Sequence, residues 1–313
     1  MNDHIMKWFL VCLSIAFLPC FGNAQDIEAC KVKFCVSDGV ENDTVKASIE
    51  ASVSLILSEI NASQEFKRPL DLSGMGLFTH VQHSIGMLLE NCPLICTDNE
   101  IIEHCISTGT GYQVRNIPLM MKPTGEREFG EDEYQEAVIS FDKQGNVESF
   151  YLSISMNLYM NVIKSNLEIT DLRHRQKILD YVERLCTAYY MRDMDFIKKV
   201  FENGIIIEVG GQKELKGQYL RNLQRAFLNN DNVKTDFENI EVMRHPANPN
   251  FYGVTLLQGW TNGRYQDKGY LFLLWDFTNA DAPQIYVCTW QPYMKGDKPL
   301  PKEEVFSLCN FDI

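Results

Sequence analysis

The chain has little positive charge: 29 Lys and Arg stand against 42 Asp and Glu, a formal net charge of −13. That balance argues against a nucleic-acid partner, because neutralising phosphates needs a basic surface. The densest basic run, Arg173–Lys177, sits among acidic neighbours and reads as the solvated face of a helix. Long hydrophobic runs are also missing, apart from Trp8–Phe21 near the start, so no membrane span is expected. There is no phosphate-cradling glycine loop, no G-x-S-x-G elbow and no dinucleotide fingerprint, and hence no cofactor is expected. His80, His83, Cys92, Cys96, His104 and Cys105 lie near one another in sequence, but their spacing fits no standard zinc pattern. No metal is expected; a Cys92–Cys105 or Cys96–Cys105 disulfide is the better reading, and plain burial a better one still. A Cys–His nucleophile pair has no activating geometry legible in this stretch.

What is present begins with a targeting pattern. Lys7 precedes the apolar Trp8–Phe21, and Gly22-Asn-Ala24 ends in small residues. This is the form of a secretory signal over residues 1–24, and it predicts a periplasmic or secreted protein. A lipoprotein anchored at Cys20 fits less well, because Phe17-Leu-Pro19 lacks the small residue expected before a lipidated Cys. Cleavage would remove Cys12 and Cys20 and leave eight cysteines, for which an exported compartment permits disulfides without fixing any pairing.

The length favours two domains. Residues 25–165 read as an α+β domain. It has a strand over Ala29–Val36, a helix over Thr44–Gln64 capped by Asp43 or Thr44, and a helix over Leu77–Asn91. Strands follow at Tyr112–Met121, Tyr134–Phe141 and Val147–Ser155, with Asp142-Lys-Gln-Gly145 as a hairpin turn and Pro123–Glu133 as a polar loop. A helix over Asn157–Lys164 leads to a boundary near Ser165–Thr170.

Residues 166–313 open with a helix from Asp171 to about Arg192, with Leu172, Ile178, Leu179, Val182, Leu185, Cys186 and Tyr189 on one side. A short helix, Met194–Phe201, follows, and Asp195 reads as its N-cap rather than Asp193. Next come a strand at Gly204–Val209 and a helix at Lys216–Asn229. Four long strands close the pattern: Lys234–Arg244, Asn250–Thr261, Gln266–Phe277 and Gln284–Gln291. Pro246–Pro249, Asn262-Gly263 and Asn279–Asp281 are the turns between them.

This order of helices followed by long Trp-bearing strands resembles the nuclear-transport-factor-2-like, cystatin-like α+β superfamily. The likeness rests on Tyr252–Trp260, Gly269–Phe277 and Thr289-Trp290-Gln291-Pro292. It implies a curved antiparallel sheet wrapping the long helix around a cone-shaped cavity. The C-terminal half is also similar to exported Bacteroidetes proteins, through His245–Gly253, Gly269–Phe277 and Lys298–Pro301. That likeness implies location more than mechanism. The first half is either a second copy of the unit or an unrelated α+β domain.

In enzymes of this superfamily, such as ketosteroid isomerase, a cavity carboxylate or histidine shuttles protons, and apolar walls raise the carboxyl pKa. The resemblance makes Asp276, Glu208 and His245 the catalytic candidates. Against that role, Asp276 lies at a strand end beside a turn and His245 precedes Pro246 at a turn, so both fit structural roles. The aromatic residues Tyr189, Tyr252, Trp260, Tyr270, Trp275 and Trp290 are the candidate binding residues, since Tyr and Trp combine apolar area with a polar tip. Alternation places Tyr252 with Trp260, Tyr270 with Phe272, and Tyr286 with Trp290 on common faces. The expected function is a non-catalytic module binding a small apolar ligand or a protein partner. The alternatives are an isomerase or cyclase acting by proton transfer in the same cavity, and a structural homodimer formed through the sheet face.

Overall fold

The computed structural model describes residues 26–121, 134–164, 169–201, 206–209, 212–229, 234–261 and 266–308, with backbone alone at 206–209, 212–214 and 234. The signal pattern, the loop at Pro123–Glu133, the turn at Asn262-Gly263, most of the Ser165–Thr170 boundary and Cys309 lie outside the described residues. Two compact units emerge. The first takes in residues 26–86, 93–121 and 134–150; the second takes in 87–92 and the described residues from 151 onward.

In the first unit, β1 (Lys33–Val36) precedes the long helix α1 (Asp43–Glu65), and α2 (Thr79–Asn91) begins after a turn. Asn42, one residue before the expected cap, accepts from Thr44 N and Val45 N and starts α1. The strand β1 pairs in parallel with β3 (Glu100–Glu103) through one edge. Its other edge docks on α1. Ser58 Oγ accepts Val32 N–H, Ser54 Oγ accepts Phe34 N–H, and Glu50 Oε1 accepts Val36 N–H. One helical turn of four residues and two strand residues each advance about 6 Å, so an i, i+4 ladder of oxygens matches alternate amides.

The sheet of this unit is antiparallel. The strands β2 (Leu94–Cys96) and β4 (Cys105–Ser107) pair with the two ends of β5 (Gly111–Met121), which pairs with β6 (Tyr134–Asp142) and then β7 (Val147–Leu152). The short β2, β3 and β4 are absent from the sequence expectation, because three or four residues cannot display a period. The expected hairpin is present. Gly145 takes φ 85° and Asp142 Oδ1 accepts from Gln144 N and Asn146 N. Among the described residues no disulfide joins Cys92 or Cys96 to Cys105, which overturns the Cys92–Cys105 and Cys96–Cys105 pairings. Desolvation pushes the Cys96 and Cys105 thiols up to about 11.

In the second unit, α3 (Met156–Lys164) and the long α4 (Ile169–Met191) lead to the short α5 (Met194–Val200). Asp193, not Asp195, caps α5, accepting from Phe196 N at 3.0 Å; Asp195 sits exposed in the first turn. After β8 (Ile206–Val209), β9 (Gln212–Glu214) and α6 (Lys216–Asn229), four long strands form a meander: β10 (Lys234–Arg244), β11 (Phe251–Thr261), β12 (Gln266–Asp276) and β13 (Gln284–Pro292). The sheet order is β10-β11-β12-β13-β8-β9, with β8 parallel to β13.

Two bulges bend this sheet, at Phe237/Asn239 on β10 and opposite Leu274/Trp275 on β13. Its concave face packs on α4, where Ile178, Leu179, Val182 and Leu185 are buried along with Val254, Leu256, Leu273 and Trp275. On the opposite face, Phe272, Leu274 and Val287 form a second apolar cluster with Leu308 and Phe306 from the chain's last described residues. Phe306 is pinned there because its N–H donates to Gln291 Oε1 at 2.7 Å. The outer face is thus partly covered by the unit's own C-terminal segment. The expected cone-shaped α+β fold is present.

Candidate functional site: an aromatic cavity in the second unit

A cavity of about 280 Å³ opens between the helices and the concave face. Leu185 and Tyr189 come from α4, and Phe201 from just beyond α5. The helix α6 contributes Tyr219, Asn222, Leu223 and Ala226. The sheet supplies Gln258 and Trp260 from β11, Asp267 and Leu271 from β12, and Cys288 and Trp290 from β13. Strand alternation explains this set: 258 and 260, 267 and 271, and 288 and 290 are same-face positions on adjacent strands.

The polar groups are few and mutually organised. Tyr189 and Tyr219 share a hydrogen bond at 2.9 Å between their hydroxyls. Burial pushes the Tyr189 phenol up to about 12, opposed by the Tyr219 hydrogen bond. Gln258 Nε2 donates to Thr235 Oγ1 at 2.7 Å, fixing the amide's orientation. Burial also pushes the Cys288 thiol up to about 12, so it is a neutral apolar wall at physiological pH. Asp267 supplies the only carboxylate among the described lining residues, and one of its oxygens accepts the Lys268 N–H at 2.8 Å.

Tyr189, Trp260 and Trp290 therefore meet in one cavity, and three other candidate binding residues do not. Tyr252 is fully buried under the first turn of α4, with its hydroxyl donating to Asp171 Oδ1 at 2.9 Å. Trp275 is fully buried in the core, edge-on to Tyr181 at 5.2 Å, with no hydrogen-bond partner for its Nε1–H. Tyr270 faces the other side of the sheet and packs against Tyr293. The pairing of Tyr286 with Trp290 also fails. The β13 bulge makes Tyr286 an extra residue, and it turns to Phe251 on the outer face while Trp290 lines the cavity.

Two of the catalytic candidates serve turns. Asp276 Oδ1 accepts Thr278 N–H at 2.7 Å, and His245 Nδ1 accepts from Ala247 N and Asn248 N. Neither lines the cavity. Glu208 lies on β8 opposite Thr289 of β13, and its side chain is outside the described residues. No group of three or more His, Cys, Asp or Glu among the described residues is arranged to hold a metal. No helix among them is long and apolar enough to cross a membrane.

A buried polar network stands apart from the cavity and was not anticipated from the sequence. Arg175 Nε donates to Asp171 Oδ2 at 2.6 Å and its Nη1 to Val242 O at 2.9 Å, joining α4 to β10. Because the Tyr252 proton is committed to Asp171, His174 Nδ1 serves as the donor to Tyr252 Oη, at 3.1 Å. Burial and then Asp171 push the Tyr252 phenol up, while burial pushes His174 below the ordinary imidazole range. The i, i+4 spacing of Asp171 and Arg175 is a signal in the sequence, but it does not distinguish an exposed helical pair from this buried one.

The second unit has a cone-like α+β fold: a meander bent around a long helix, with a short hairpin added to its last strand. Among solved structures, the chain is similar to Bd1075 of Bdellovibrio bacteriovorus at 14% identity, over 49% of this chain and 46% of that one, with a TM-score of 0.35. The chain thus spans under half of that protein's length. It is also similar to an NTF2-like protein of Cytophaga hutchinsonii (10% identity, 38% and 97% covered, TM-score 0.32). A putative ketosteroid isomerase of Shewanella frigidimarina is a third (11% identity, 36% and 92% covered, TM-score 0.31). No protein-family model matches the chain, and no curated protein does.

Proposed function

We propose that the protein is an exported, non-catalytic binding module whose second unit holds a small apolar ligand in the cavity between α6 and the sheet. The observation that carries this reading is the cavity itself, about 280 Å³ with indole, phenol and phenyl walls and a few fixed polar groups. The positions of Asp276 and His245 in turns support a binding role over proton transfer. Export is supported by Lys7, the apolar Trp8–Phe21 and the small residues Gly22–Ala24.

An isomerase- or cyclase-type enzyme is the second reading, and the Asp267 carboxylate in an aromatic wall is the observation that favours it. Native mass spectrometry of the protein from its source tests both readings. A retained small molecule of constant mass supports binding, whereas a substrate that changes mass on incubation supports catalysis. Recovery of the bare chain alone counts against the binding module. The same spectrum gives the mature N-terminus and so checks cleavage after Ala24.

A further inference from the structure

One polar side chain in the cavity wall has its orientation fixed from behind. Gln258 is only 7% exposed, and its Nε2 donates to Thr235 Oγ1 at 2.7 Å. The Thr235 hydroxyl gives its single proton to Gly259 O at 3.2 Å, so toward Gln258 its oxygen can only accept. That order of donors settles which end of the carboxamide is which. The nitrogen is held against Thr235 of β10, and the carbonyl oxygen turns the other way.

The other way is toward β12 and the cavity. Gln258 stands directly opposite Gly269 in the β11–β12 register, where no side chain fills the space beside the amide. The Trp290 indole lies over that glycine instead, since a Cβ there would come 2.5 Å from Trp290 Cε2 and Cζ2. Among the described residues no donor reaches Gln258 Oε1, and the oxygen is not sealed off in the packing. A carbonyl acceptor thus stands beside an aromatic surface in the cavity wall. A ligand that offers no proton there strips the oxygen of solvent and leaves it unpaired, at a cost in affinity. A ligand with a donor at that point restores the bond.

We propose that the cavity selects a small apolar molecule carrying a hydrogen-bond donor, a hydroxyl or N–H group that donates to Gln258 Oε1. Thr235 is the positioning residue that keeps this acceptor turned to the ligand. The proposal rests on the reading of the cavity as a ligand site and adds the polarity of the ligand's head group. The apolar body lies on Trp290 and Leu271, which are directly opposite each other on the same sheet face. Asp267 is the competing acceptor in the lining, and substitution at Gln258 separates the two.

The test uses the full chain and three probes of one skeleton. 2-Naphthol has a donor, 2-methoxynaphthalene keeps the oxygen without the proton, and 2-methylnaphthalene has neither. Calorimetric titration near neutral pH, where all three are uncharged, should show 2-naphthol binding about tenfold more tightly than either of the others. Gln258→Met keeps the length and bulk of the side chain and removes the acceptor. It should abolish the preference for 2-naphthol, with 2-methylnaphthalene bound as tightly as before or more so. Thr235→Val frees the amide to turn over and offer its NH₂ group, so 2-methoxynaphthalene should gain on 2-naphthol. A urea midpoint for each variant checks that it is folded, and the wild-type series stands as a test without them.

If either donor-free probe binds wild type as tightly as 2-naphthol, the donor inference is overturned and the cavity reading stays intact. A 2-naphthol preference unmoved in folded Gln258→Met overturns it in favour of another acceptor such as Asp267. An unchanged ratio of 2-naphthol to 2-methoxynaphthalene in folded Thr235→Val overturns the part given to Thr235. Failure of all three probes to bind overturns the donor inference as well. The cavity reading is then judged separately, by the ligand retained on purification.

Discussion

The indole of Trp290 lies against the bare Cα of Gly269 on the neighbouring strand, and that contact shapes one wall of the cavity. A methyl group at Gly269 would meet the Trp290 ring at 2.5 Å and the Gln291 carbonyl oxygen at 2.4 Å. Neither can yield without moving the indole or the strand. Gly269→Ala should cost about 1–3 kcal/mol as an overpacking change. It should also shift the tryptophan emission and weaken any ligand that uses the Trp290 face. Urea denaturation with fluorescence detection reads the first two effects. A variant with wild-type emission and an unchanged midpoint would show that the two residues are not in contact.

Asp171 supports the buried end of α4 by accepting from both Arg175 and Tyr252. Removing it leaves the Arg175 guanidinium, which is only 6% exposed, without that carboxylate. Asp171→Ala is expected to cost about 3–5 kcal/mol, the usual penalty for breaking a buried ion pair from one side. Tyr252→Phe removes one neutral donor and should cost about 1–3 kcal/mol. Paired urea titrations check the order: a Tyr252 substitution more damaging than the Asp171 substitution would contradict it.

His174 gives the same region a pH response. Burial lowers its folded-state pKa below the unfolded value, with Arg244 and Lys177 acting in the same direction and Asp171 against them. The unfolded chain therefore binds more protons over the window between the two values. Stability is full above the ordinary histidine pKa and declines as pH falls through that value toward the depressed one. His174→Gln should flatten this part of the urea midpoint–pH curve, after subtraction of the titration common to both proteins. A His174→Gln curve parallel to wild type from pH 7.5 to 5 would remove His174 as the cause.

Much of the second unit was legible in the sequence, because its strands are nine to eleven residues long and their turns carry Pro, Asn and Asp. Which aromatic residue faces the cavity was not. Facing depends on cross-strand register, and a single bulge sends Tyr286 away from Trp290. Asp267 was missed because Gln266-Asp267-Lys268 looks like the polar end of a strand. Its shared parity with Leu271 was the available signal. Tyr219, Asn222 and Gln258 needed the cone itself, since α6 meets the sheet only in three dimensions. Asp193 competed with Asp195 as a cap two residues apart, a distance at which composition does not decide.

The two units share a local device that the sequence carries in disguise. In the first, Glu50 Oε1 and Ser54 Oγ accept the amides of Val36 and Phe34. In the second, Glu183 Oε1 and Thr187 Oγ1 accept those of Ile154 and Leu152. Each is a Glu followed four residues later by a hydroxyl, on a helix of 23 residues, gripping an antiparallel extended segment. In each the hydroxyl donates in turn to the Glu carbonyl oxygen four residues back. Thr187→Val keeps the shape and removes the acceptor, leaving the buried Leu152 amide without it. It should cost about 1–3 kcal/mol. Ser54→Ala, at a partly exposed site, should cost less, and Ser58→Ala, whose Val32 amide is buried, should resemble Thr187→Val. Amide hydrogen exchange makes the test specific. Leu152 in Thr187→Val and Val32 in Ser58→Ala should lose protection ahead of the rest of their units, and unchanged protection at both would mean that the helices do not hold these segments by their side chains.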